Sequence, residues 1–236
     1  MRILHVVNDY FSHMSGYGIR TNYIARFQRE MGLQPVVIVT PCHNYIGDSV
    51  SRIGKVILVD GVQFHQIGIH PSMARSLIRL SPWSYRRTEG MLLEQYILRV
   101  VKRSSGLPDL IHAHSPHLVG WPALRPARHL GLPFVYEMRG LREESAVANG
   151  RFSENSLRYR FHRLQETNLA SRSDGLVTIS DALCQKMSRR GAAPEETVVI
   201  PNGVDLERFP VGNRVGKTRR EVRRQLGIKD NIVLLG

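Results

Sequence analysis

"RILHVVNDYFSHMSGYGIR", residues 2–20, decides how the rest of the chain is read. Apart from Arg2 and His5, its first six residues are apolar, a near-continuous run of the kind found in strands covered on both faces. Ser15-Gly16-Tyr17-Gly18 follows where a strand hands over to a helix. Glycine lets backbone approach a ligand closely, and a helix amino terminus offers unpaired N–H groups and partial positive charge. The stretch therefore predicts a βα unit whose turn faces a phosphate.

Similar apolar runs recur downstream: "PVVIVT" (35–40), "DLIHAH" (109–114), "PFVYEM" (133–138), "GLVTIS" (175–180) and "TVVIP" (197–201). Helical stretches separate them. Tyr23, Ile24, Phe27 and Met31 form an apolar stripe at helical spacing, the pattern of a core-facing side, and Gly32 closes that helix. Asp60-Gly61 within "KVILVDGVQFHQIG" (55–68) predicts a hairpin. Ser180 or Asp181 caps the helix "ALCQKMSRRG", which ends at Gly191. Alternating strands and helices predict a doubly wound, mostly parallel α/β domain over residues 1–203. Residues 204–236 read as a linker, a basic helix ("KTRREVRRQLG") and, in "NIVLLG", the first strand of a second domain absent from this chain.

The 236 residues suffice for one sizeable core. Two cysteines, Cys42 and Cys184, are far apart without C-x-x-C spacing, which suits a reducing cytoplasm and offers no cysteine metal site. No run of 18 apolar residues is present, and "MRILHVV" lacks signal-peptide anatomy. Lys and Arg number 33 against 20 Asp and Glu, a net charge of +13 that favours anionic partners. No helix-turn-helix, RNA-binding aromatic signature or zinc finger accompanies it, so a specific nucleic-acid partner is not expected.

Three patterns imitate nucleotide or metal sites. Gly16-x-Gly18 would need a third glycine at 21, where Thr21 stands, and "VVIVTPCH" carries no acid to hold a ribose. In "VGNRVGKTRR" (211–220) the glycine required five positions before Gly216 is Val211, and the segment follows a linker instead of a strand. "HAHSPH" (112–117) places His112 and His114 on one face of a strand end, a two-ligand start for a metal, yet no Asp or Glu follows at usable spacing. One core histidine, His112, and one site histidine, His114, is the expectation, because ligands gather at the carboxyl ends of parallel strands.

"SGYGIRTNYIARFQREMG", "PDLIHAHSPHLVGWPAL", "LGLPFVYEMRGLREE", "SDGLVTISDAL" and "VVIPNGVDLERF" together resemble, in order and spacing, the amino-terminal half of family 4 retaining glycosyltransferases of GT-B architecture. "HSPHLVGWPALRPAR", "VYEMRGLREE" and "SLRYR" are similar to the branch associated with exosortase and exopolysaccharide clusters. The resemblance implies transfer of a sugar from a nucleotide diphosphosugar, as co-substrate, to a glycan or polyprenyl-linked acceptor, with no metal or other cofactor. It also implies a carboxy-terminal GT-B domain that holds the donor, so that residues 1–236 alone are expected to turn over little.

By the same resemblance, the family's Gly-Gly turn at the donor diphosphate corresponds to Ser15-Gly16. His114 corresponds to the second histidine of the H-x-H strand end beside the reacting sugar and is the catalytic candidate. Arg139 stands where many members have histidine and is expected to grip phosphate bidentately or to anchor an acidic acceptor group, unless Glu143-Glu144 neutralise it. Asp9 and Tyr10 are acceptor-side candidates, and Asn202-Gly203 open the interdomain cleft.

Residues 72–103 carry seven Arg or Lys and two Glu among Met73, Leu77, Ile78, Leu80, Trp83 and Tyr85, which reads as a basic amphipathic helix suited to an anionic membrane surface. Peripheral attachment to the cytoplasmic face of a membrane is one expectation, and a solvated helix packed on the sheet is the other. The competing expectations are a catalytically silent acceptor- or membrane-binding module and, disfavoured by the motifs, a sugar-nucleotide 2-epimerase.

Overall fold

A computed structural model of the chain describes residues 1–8, 16–40, 54–67, 71–103, 106–192, 194–207, 213–229 and 231–233, of which 71, 72, 74, 82 and 213–218 by their backbone alone. In chain order the elements are β1 (Arg2–Val7), α1 (Gly16–Glu30), β2 (Gln34–Val39), β3 (Val56–Val59), β4 (Val62–Gln66), α2 (Pro71–Leu80), α3 (Pro82–Arg103), β5 (Leu110–His114), α4 (His117–His129), β6 (Phe134–Met138), α5 (Arg142–Ala148), α6 (Leu157–Ala170), β7 (Gly175–Thr178), α7 (Asp181–Arg189), β8 (Thr197–Val199) and α8 (Asn213–Gln225).

The strands form one sheet in the order β3-β4-β2-β1-β5-β6-β7-β8, parallel except for the β3–β4 hairpin. In that hairpin Asp60 (φ 49°) and Gly61 (φ 75°) both take the left-handed conformation that a two-residue primed turn requires. Each run read as a strand within residues 1–203 is one, and its residues are mostly apolar. One face of the sheet, with Leu4, Val6, Ile111, Phe134, Tyr136 and Met138, packs against α3, α4 and α6 through Leu93, Ile97, Val119, Ala123 and Leu169. On the opposite face Val7, Val37, Val39, Val62 and Phe64 meet Ala25 of α1.

Helix α1 differs from expectation. Its buried residues are Gly18, Thr21, Asn22 and Ala25, whereas Phe27 and Met31 are exposed and Tyr23 and Ile24 half-buried. The helix turns its small, polar side to the sheet because the strand tips beneath it carry His5, His114 and Glu137, which offer hydrogen bonds instead of an apolar floor. Gly32 (φ 82°) ends it as expected. The single basic helix read over 72–103 is two helices, broken where Pro82 opens α3 and Ser81 Oγ accepts the Trp83 N–H at 3.1 Å. Ser180 caps α7 by accepting the Leu183 N–H at 3.3 Å, and Gly191 (φ 69°) closes it.

The chain divides into two compact units, Met1–Pro201 and Asn202–Gly236. In the second, the guanidinium of Arg223 donates to the carbonyls of Lys229 and Ile232. Gly216-Lys217-Thr218 lie inside α8, not in a phosphate-cradling loop. Asn231–Val233 are not a strand, so the expected β start at "NIVLLG" is absent from its described part. Among the described residues no helix is long and apolar enough to cross a membrane.

Candidate functional site

The carboxyl ends of β1, β5 and β6 surround a cavity of about 340 Å³ lined by Val7, Asn8, Tyr17, Thr21, His114, Ser115, Pro116, Arg139, Gly140, Arg142 and Ser145. Its place follows from topology. From β1 the chain moves through α1 to β2 on one side, while β5 joins β1 on the other, and the two connections part at a switch point. The described lining contains two arginines and no carboxylate, so the cavity presents positive charge.

Beneath it lies a buried polar network. Register pairs His5 with His112 and His114 with Glu137, which puts all four side chains on the α1 face. The Nε of Arg139 donates to Glu137 Oε1 at 2.7 Å, Nη1 to the Tyr17 carbonyl and to Thr21 Oγ1, both at 2.8 Å, and Nη2 to His114 Nδ1 at 2.6 Å. A second cation, Arg20, reaches the same Glu137 oxygen at 2.9 Å. Since arginine only donates, His114 Nδ1 accepts, so its proton sits on Nε2 and is given to His5 Nδ1 at 3.0 Å. His5 then carries its proton on Nε2 and donates it to Gln28 Oε1 at 2.7 Å.

Burial and then Arg139 hold His114 well below the usual histidine range, and burial foremost takes His5 down to about 3, so both rings are neutral in this chain of donors. Burial alone would push the Glu137 carboxyl up. The Arg139 charge, with its bond to Oε1 at 2.7 Å, outweighs it and keeps Glu137 ionised.

His5, His112 and His114 offer nitrogens within 4.8 Å of one another, and Glu137 Oε2 stands 3.4 Å from His112 Nε2, so a neighbouring strand supplies the carboxylate that sequence spacing lacked. The donor set nevertheless does not suit a metal ion. Arg139 occupies one nitrogen of His114 and the proton shared with His5 occupies the other, and a guanidinium 2.6 Å away opposes a second cation.

Several expected residues are placed differently from their reading. His114 lines the cavity, but both its ring nitrogens are taken within the protein, so it positions Arg139 and offers a ligand neither nitrogen. Arg139 also lines it. Among the described residues its named bonds use four of the five guanidinium N–H groups, which leaves one for a ligand and rules out the expected bidentate grip. Glu143 and Glu144 do not neutralise it. They pair with Arg190 at 2.7 and 3.1 Å and, for Glu144, with Lys186 at 2.6 Å, while the carboxylate paired with Arg139 is Glu137, shared with Arg20. Gly16 starts α1 in open space, next to Tyr17 of the lining but not itself part of it. Asn202 and Gly203 are exposed and begin the second unit. Asp9, Tyr10 and Ser15 lie outside the described residues.

Sequence reasoning missed His5, Glu137, Arg20, Tyr17, Thr21, Ser115, Arg142 and Ser145. The signal for His5 and Glu137 was available: a polar residue inside an apolar strand run must find a buried partner.

Behind α4, Glu166 is wholly buried and accepts the Tyr136 hydroxyl at 2.7 Å and the His117 N–H at 2.8 Å. Burial pushes its carboxyl up to about 7, with Glu143 adding to the shift. A raised carboxyl stabilises the fold fully below its unfolded pKa near 4.5, and the contribution is lost as pH rises through 7. Glu166→Gln removes that loss. Between pH 5 and 7 the stability of the wild type relative to the variant should fall by about 1.4 kcal/mol per pH unit, read from urea unfolding of both proteins. The lowered histidines act oppositely but cancel in the difference, so parallel pH profiles would refute the assignment.

The chain belongs to the family of glycosyl transferase 4-like domains, whose model matches residues 15–203. Over 132 residues it is 30% identical to a D-inositol 3-phosphate glycosyltransferase of Geodermatophilus obscurus, a match that takes in 54% of this chain and 27% of that protein. Anabaena HepE in complex with UDP is similar with a TM-score of 0.60 at 18% identity, over 96% of this chain and 50% of that one. Sucrose-phosphate synthase of Thermosynechococcus elongatus gives 0.61 at 14%, over 98% and 54%. The chain thus spans about half the length of these structures, and the likeness shows the fold, the mostly parallel α/β arrangement of GT-B glycosyltransferases.

Proposed function

We propose that the chain is the acceptor-side half of a retaining glycosyltransferase that moves a sugar from a nucleotide diphosphosugar to a glycan or polyprenyl-linked acceptor in exopolysaccharide synthesis, on the cytoplasmic side of a membrane. The observation that carries this reading is the cavity at the switch point, lined by two arginines and no described carboxylate, in a chain of the glycosyl transferase 4-like family. The relatives support the donor class: HepE binds UDP.

The leaving group of such a reaction is a nucleoside diphosphate, and positive charge fixed beside it lowers the barrier as negative charge develops. Arg139, oriented by Glu137 and His114 and keeping one N–H for the cavity, supplies part of that charge, and Arg142 supplies more. The turn at Ser15-Gly16 and the acceptor side at Asp9 and Tyr10 complete the site in this reading, with Asn202-Gly203 leading to a donor-binding domain.

The test is nucleoside diphosphate release from a panel of nucleotide sugars by the longest polypeptide containing these residues, beside residues 1–236 alone. The longer protein should turn over one donor and the 236 residues little. Arg139→Lys, which keeps the charge but not the planar fork, should lower kcat about 100-fold with a small change in KM. No release from any donor by the longer protein would leave a silent binding module as the answer.

A further inference from the structure

Helix α6 turns an apolar stripe directly away from the core. Leu157, Phe161 and Leu164 are 82%, 50% and 55% exposed, and their spacing of four and three confines them to about 60° of the helix circumference. The buried residues Tyr159, Glu166, Leu169 and Ala170 occupy the opposite side. Arg158 and Arg160, both exposed, flank the stripe, the exposed Arg163 lies farther round, and no acid occurs in residues 157–165. A globular helix normally buries its apolar side, so this one is built to be covered by something else.

The surroundings repeat that chemistry. Across the amino terminus of α4, the His117 ring meets Phe161 edge-on at 6.4 Å and hydrogen-bonds His162 at 2.9 Å. Helix α4 packs against both α3 and α6, and Arg86 near the start of α3 acts electrostatically on both histidines. One turn earlier stands Trp83, 71% exposed, after Leu80, also exposed, and residues 71–88 hold four arginines and no acid. Helix α6 also packs against α5, which forms part of the cavity wall. Tyr159 donates to Glu144 of α5 at 3.0 Å, and α5 contributes Arg142 and Ser145 to the lining.

We propose that α6, with the α2–α3 corner, is a docking face for an anionic lipid bilayer, onto which Leu157, Phe161, Leu164, Leu80 and Trp83 insert while the arginines contact headgroup phosphates. Charge complementarity selects this occupant. A second copy of a chain carrying +13 would bring like-charged faces together, and a nucleic acid has no use for an outward leucine–phenylalanine stripe. A bilayer uses both halves of the pattern at once. The inference extends the glycosyl-transfer reading, since it sets the cavity wall beside a surface from which a polyprenyl-linked acceptor is presented, but its test needs no sugar.

The test is flotation of the 236-residue chain with vesicles of phosphatidylcholine with and without phosphatidylglycerol, at low and high salt. Wild type should float with the anionic vesicles at low salt, and high salt or neutral vesicles should release most of it. Leu157→Glu/Phe161→Glu should weaken partitioning more than about ten-fold, from lost insertion and added repulsion, at unchanged Tm. Met31→Glu/Leu58→Glu, a pair of exposed apolar residues elsewhere, should float like wild type. No flotation of wild type overturns the proposal, and so does equal binding by the α6 variant or equal loss in the control. Binding that fails while nucleotide-sugar turnover persists removes the bilayer face and leaves the enzymatic reading standing.

Discussion

Glu137→Ala is expected to cost about 3–5 kcal/mol of unfolding free energy, because it strands two buried or half-buried cations that share one carboxylate oxygen. Arg139 is buried, and the carboxylate it faces is the one acid named within its hydrogen bonds. A unit of this size should then unfold about 10 °C lower, measured by calorimetry at neutral pH. Glu137→Gln, which keeps an acceptor oxygen without the charge, should fall between wild type and alanine. A loss under about 1 kcal/mol for the alanine variant would mean that water or a rotated Arg139 replaces the carboxylate, and the network would not be what fixes the cavity wall.

The second large effect lies on the other side of the sheet, where α4 approaches α6 and β6. A methyl group at Gly120 would stand 2.2 Å from Leu169 Cδ2 and 2.9 Å from Tyr136 Cε2, both in fully buried side chains. Alanine favours a helix over glycine by about 1 kcal/mol, yet the overlap should win and make Gly120→Ala destabilising by about 1–3 kcal/mol. Leu169→Ala alone should cost about 2–5 kcal/mol through the cavity it opens. Combined, the two changes should cost less than their sum, since the space vacated by Leu169 takes up the new methyl. Chemical denaturation of the four proteins measures this, and strict additivity would show that the helices separate without repacking.

The sheet was legible because burial on both faces writes a mostly apolar run into each strand, from "RILHVV" to "TVVIP", and the Asp60-Gly61 turn is dictated by backbone conformation alone. The face of α1 was not legible. Periodicity assumes an apolar floor throughout, and the floor here is polar at His5, His114 and Glu137, so the small residues Gly18, Thr21 and Ala25 went inward while Phe27 and Met31 stayed out. His114 and Arg139 could be placed at strand tips because chain order fixes where a strand ends. Of their partners, Glu137 stands two residues before Arg139 and was within reach of local spacing, whereas His5 meets His114 across neighbouring strands, which local spacing does not encode. The pairing of Glu143 and Glu144 with Arg190 and Lys186 likewise joins elements far apart in the chain.

Helix α1 rests on directional bonds to Glu137, Arg139 and His5 through Arg20, Thr21 and Gln28, where α3 and α4 rest on hydrocarbon. The two attachments respond oppositely to cooling, for apolar association weakens near freezing while charged hydrogen bonds do not depend on water's entropy in that way. A seat of this sort also admits a single angular setting, as a key does in a lock cut for it. The first turn of the helix, which begins at Gly16, is thereby held at one setting above the strand tips, and that setting rests least on the apolar packing that cold weakens.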